Sequence, residues 1–148
     1  MKRMTLNLAA AIALTGFGIG LAPAVTAPVP VRAEAGLKAE IASGGFVTVE
    51  QDHPTAGTAT IAEKDGQTIL EFSGDFTTAR GPAVYVVLHK DDSVGVALDE
   101  DDYVTIAPLE SFDGAQRYII PESVDVADYS SVVIWCEQFN VTFGFAAL

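Results

Sequence analysis

Cysteine occurs once in this chain of 148 residues, at Cys136, and tryptophan occurs once, at the adjacent Trp135. A single cysteine rules out an internal disulfide, a dithiol cycle within the chain and every Cys-x-x-Cys motif. Methionine is confined to Met1 and Met4, and histidine to His53 and His89. There is no Cys-x-x-Cys-His, and both methionines fall in a stretch expected to be removed, so haem has little support. Positive charge is scarce as well: eight Lys and Arg stand against twenty Asp and Glu, a formal charge of −12. Such a surface repels phosphate backbones, which argues against nucleic acid as a partner. Hydrolase signatures are missing: there is no Gly-x-Ser-x-Gly and no His-Glu-x-x-His, and the glycine-rich "GFGIG" lies near the start of the chain. Sustained apolar spacing of the helical kind is also missing. Only "AGLKAEIA" (35–42) could form a turn or two of helix.

What is present begins with a leader. "MKRMTLN" is a short basic start, "LAAAIALTGFGIGLAPAV" is apolar and small, and "APVPVRAEAG" offers cleavage after Ala33 or Ala35. Gly16, Gly18, Gly20 and Pro23 break the apolar run, against a retained membrane span. No cysteine lies near the cleavage site, so lipid attachment there is excluded. The expectation is a signal peptide over residues 1–35 and one exported domain over 36–148, periplasmic or extracellular, with no membrane association after cleavage. The leader takes Lys2, Arg3, Arg32 and Glu34 with it. Five basic residues then face nineteen acidic ones, a net charge of −14.

The remaining sequence alternates in short runs. "GGFVTVE" sets Phe46, Thr48 and Glu50 on one side and Val47 and Val49 on the other. "GTATIAEKDGQTILEFSGDF" reads as two strands joined at Lys64-Asp65-Gly66, where Asp-Gly suits a tight hairpin. In "AVYVVLHK" (83–90), Val84, Val86 and Leu88 oppose Tyr85, Val87 and His89. "DDYVTIAPL" and "QRYIIP" are shorter strands. "SVVIWC" carries apolar residues on both faces, as a doubly covered central strand does. In "NVTFGFAAL", Val141, Phe143 and Phe145 alternate with Thr142, Gly144 and Ala146. Seven to nine strands at such intervals predict an all-β single domain, an antiparallel β-sandwich or a flattened barrel.

Four segments carry a resemblance: "GGFVTVEQDHPTAGTATI", "LEFSGDFTTARGPAVYVVLH", "GAQRYIIP" and "SVVIWCEQFNVTFGFAAL". Together they resemble the DM-thirteen, or electron-transfer DM, domain family from about Gly44 to Leu148. The aromatic–Cys pair before a Phe-rich last strand is the most specific part. The resemblance implies a redox module whose reactive group is Cys136. After Gly81-Pro82 this chain has Ala83, where an acidic residue is expected in many relatives.

The residues themselves leave the thiol open to two readings. Free cysteine is a small hydrophobe that is often buried, yet a bare thiol outside the cytoplasm meets oxidants. A reactive Cys136 needs a cation nearby, and His53, His89, Arg80, Arg117 and Lys90 are available. His53, His89 and Trp135 are taken as its supporting candidates. A copper site assembled from His53, His89 and Cys136 would match known ligand sets. The acidic stretch 91–110 suggests Ca²⁺ at Asp99, Asp101 and Asp102. An EF-hand register from Asp99 fails, because Val104 stands where the turn requires glycine. "NVT" (140–142) matches a glycosylation sequon but alternates like a strand. The expected function is a non-catalytic redox module acting with a redox partner protein. The alternative is an extracellular structural domain that binds calcium or a basic partner, with an inert cysteine.

Overall fold

In the computed structural model the described residues are 38–148; the expected leader lies outside them. Eight antiparallel strands make one sheet in the order β5-β4-β7-β8-β1-β2-β3-β6. In chain order these are β1 (Ala39–Thr48), β2 (Thr58–Lys64), β3 (Gln67–Phe72), β4 (Val84–His89), β5 (Tyr103–Pro108), β6 (Gln116–Ile119), β7 (Ser131–Cys136) and β8 (Val141–Ala147). The sheet curls into a nearly closed barrel, so the flattened-barrel form of the expected fold is the one adopted. The only helical pieces among the described residues are three single 3-10 turns, Glu100–Asp102, Val126–Asp128 and Glu137–Phe139.

The β2–β3 hairpin forms as its sequence predicts. Lys64 pairs with Gln67, and Asp65 and Gly66 take φ of 53° and 77°, the left-handed pair that such two-residue turns require. The segment 35–42 does not form the expected helical turn where it is described. From Ala39 the chain is already strand, pairing with β2 from Ala39–Glu63 to Gly45–Thr58. Backbone pairing decides its conformation, because its side chains are mostly exposed and carry little alternation. Beyond Gly45 the same strand changes partner and pairs with β8 through Phe46–Ala146 and Thr48–Gly144.

Alternation sorts the side chains into two layers. Phe46, Ile61, Leu70, Phe72, Phe76, Val86, Leu88, Val132, Ile134, Cys136 and Phe143 belong to the core inside the barrel. Val87, Val133 and Trp135 point outward and are covered by Val94 and Leu98 from the β4–β5 loop. All six residues of β7 are therefore buried, as its two-sided apolar pattern predicts. Strand β8 departs from simple alternation. A bulge pairs Ile134 with Gly144 but Trp135 with Thr142, leaving Phe143 as the extra residue. Phe143 and Ala146 belong to the inner core, while Phe145 packs in the outer layer.

The seam between β5 and β6 is closed by side chains. The amide of Glu110 donates to the Tyr118 hydroxyl at 3.0 Å, that of Ser111 donates to Gln116 Oε1 at 3.2 Å, and Gln116 Nε2 donates to the Ser111 carbonyl at 2.9 Å. Tyr118 is 4% exposed, and its ring lies 5.6 Å from that of Phe72. Burial pushes its hydroxyl up to about 12, against an ordinary value of 10.0. Between those two values the unfolded chain has released a proton that the folded chain retains. Stability is therefore expected to fall as pH rises from 10 towards about 12. Tyr118→Phe should remove that part of the alkaline slope, which urea melts across this pH range would measure.

Candidate functional site

Cys136 ends β7, and its place in the strand turns the thiol inward with Val132 and Ile134. It is 1% exposed. The chain then makes the 3-10 turn Glu137–Phe139, whose first amide donates to the Ala83 carbonyl at 2.9 Å, tying it to the start of β4. Asn140, at φ 48°, redirects the chain into β8. Its side chain holds the β4–β5 loop against the outer face: Oδ1 accepts from the Leu98 amide and from Trp135 Nε1, each at 2.9 Å, and Nδ2 donates to the Leu98 carbonyl.

This turn leaves Cys136 beside a pocket of about 250 Å³. Pro82, Phe139, Val141 and Phe143 supply the apolar lining, and His53 and Arg80 supply nitrogen. His53 comes from the β1–β2 loop and stacks on Phe143, with ring centroids 4.3 Å apart and planes at 10°. Its Nδ1 is buried and has no hydrogen-bond partner among the described residues. Arg80 comes from the β3–β4 loop, with its guanidinium 5.1 Å from the Phe112 ring centroid. The ion pairs among the described residues are Lys38–Glu71, Arg117–Glu71 and Lys90–Asp102, so Arg80 has no carboxylate partner there. Cys136, His53 and Arg80 thus line one small, largely apolar space. Such a space can admit a small reagent to the sulfur and hold an anion near it.

The structure gathers some of the residues expected around the thiol and separates others. His53 and Arg80 share its pocket. His89 does not: it pairs with Ser131 at the far end of the ladder in which Val84 pairs with Cys136. Five residues of strand separate them, roughly 17 Å at about 3.3 Å each. The ring of His89 is instead buried, with Nδ1 accepting from the Asp91 amide at 3.0 Å. His53, His89 and Cys136 therefore do not converge as copper ligands. Trp135 packs on the opposite face of β7, 5.0 Å from the Tyr103 ring, and supports the loop rather than the thiol.

The acidic segment does not assemble a calcium cage either. Glu100–Asp102 is a 3-10 turn, Lys90 Nζ donates to the Asp101 carbonyl, and it lies 3.8 Å from Asp102 Oδ1. Lys90 thus already engages two residues of this turn. Among the described residues, no group of three or more His, Cys, Asp or Glu side chains is placed to hold a metal ion.

In the sequence Arg80 is one of five cations available to the thiol, and nothing there marks Pro82, Phe139, Val141 and Phe143 as lining. The Gly81-Pro82 pair beside Arg80 was the available signal, since it marks where the loop turns back to β4. A family model described as electron transfer DM13 matches residues 46–148. No curated protein and no solved structure matches the chain.

Proposed function

Because the chain belongs to the electron transfer DM13 family, we propose that it is an exported, non-catalytic redox module with Cys136 as its reactive group. One observation carries this reading: the thiol is buried within the core yet lines a pocket that also holds His53 and Arg80. The pocket gives a small reagent a route to a sulfur that the core otherwise encloses. A single cysteine cannot close an internal disulfide, so the two-electron step of this reading is exchange with an outside disulfide. The Cys136 thiolate attacks one sulfur of that disulfide, whose S–S bond breaks as the Cys136–S–S bond forms. The other half leaves as a thiolate. Cys136 is oxidised, the departing sulfur is reduced, and an incoming thiol reverses the exchange.

The acidic surface, net −14 without the leader, favours a redox partner protein with a basic face, met outside the cytoplasm. The direct test is incubation of the native protein with hydroxyethyl disulfide, followed by intact mass measurement. One mercaptoethanol adduct on Cys136, removed by added thiol and formed without loss of fold, is expected. An adduct that appears only in denaturant would defeat the proposal.

A further inference from the structure

We infer that the pocket beside Cys136 is a binding site for a small aromatic carboxylate. The inference goes beyond the redox reading and does not depend on the thiol reacting. Its first support is electrostatic. Past residue 35 the chain carries nineteen acidic and five basic residues, so a guanidinium is surrounded by an excess of carboxylates. Lys38, Lys90 and Arg117 are each paired; Lys64 and Arg80 have no acidic partner among the described residues, and of these two only Arg80, exposed and resting over Phe112, lines the pocket. An exposed guanidinium on a residue that lines the pocket can turn its planar fork to a carboxylate bound there.

The second support is the character of the space. The stacked pair of Phe143 and His53 is rigid, and with Pro82 and Val141 it gives the pocket an apolar lining that suits an aromatic ring. Phe139, which also lines the pocket, is 63% exposed, a large apolar surface left uncovered. The His53 ring, stacked on Phe143, forms part of the same lining. Size sets the class. At about 250 Å³ the space exceeds the roughly 150 Å³ that accepts benzene and falls below the roughly 300 Å³ at which drug-sized sites begin. One ring or two fused rings fit.

Isothermal titration of the purified chain with 2-naphthoate tests this. Saturable one-to-one binding is expected, weakened roughly tenfold in Arg80→Gln and partly recovered in Arg80→Lys, as loss of a charge-assisted hydrogen bond requires. The neutral 2-naphthamide should bind wild type about as weakly as naphthoate binds Arg80→Gln. Arg80 is exposed, so both variants should melt with wild type, which a thermal scan establishes first. No saturable binding by wild type, or acid and amide binding equally to wild type and to Arg80→Gln, overturns the inference. The naphthoate titration and the hydroxyethyl disulfide reaction are separate readouts on wild type: the disulfide can fail to react while naphthoate binds, and the reverse, so the two readings fail independently.

Discussion

Gly44→Val is expected to lower the free energy of unfolding by roughly 3 kcal/mol or more, a loss large enough to threaten folding altogether. Gly44 lies just before the point where β1 leaves β2 and joins β8, and a Cβ built there would sit 1.7 Å from the Ala147 carbonyl oxygen. The obstacle is backbone, so no rotamer change relieves it. β1 and β8 would have to move apart at the corner that joins the two halves of the barrel. Glycine occurs in strands at such tight corners and close backbone approaches. Gly45 supplies the control. Its Cβ would meet nothing nearer than the Gly57 carbonyl at 4.0 Å, so Gly45→Ala should change stability by less than about 1 kcal/mol. Urea midpoints of the two variants, compared with wild type, measure the contrast. Equal midpoints would mean that the corner is not packed as described.

Cys136→Ala should have the opposite profile, with a small effect on stability and a complete effect on chemistry. The substitution removes one buried sulfur from a side chain that is 1% exposed but borders open space. The expected stability cost is about 1 kcal/mol, below that of truncating a larger core residue. Adduct formation with hydroxyethyl disulfide should disappear entirely, since no second cysteine exists to replace the thiol. A space-filling cysteine gives the same small change in stability from a wild type that was already inert. The comparison of wild-type chemistry with variant stability therefore distinguishes the two roles.

Much of the fold was legible because alternation is strong where strands are covered. Val84, Val86 and Leu88 face the core, and Val132, Ile134 and Cys136 oppose Val133 and Trp135, as period two requires. Two features escaped that logic. The strand from Ala39 is mostly exposed, so its side chains hold little record of its pairing. The bulge at Phe143 inserts one residue and moves Phe145 to the other layer, a shift that the repeating pattern of the sequence conceals.

The site was less legible, because its parts come from separate connections. His53 follows β1, Arg80 precedes β4, and Phe139 follows β7. Only the barrel's closure brings them to one end. His89 looked equivalent to His53 in sequence, and it is the pairing of β4 with β7 that places it five residues away along the ladder.

The central claim is that Cys136 is reached through its pocket while the barrel stays folded. Its most direct test is the rate of Cys136 alkylation by iodoacetamide in wild type and in Ile61→Val. Ile61 is a core residue that does not line the Cys136 pocket, and its truncation should cost about 1 kcal/mol, raising the unfolded fraction roughly fivefold. Reaction through the pocket predicts equal rates in the two proteins. A rate that rises roughly fivefold in Ile61→Val would show that the thiol reacts only by way of unfolding, and would contradict the account.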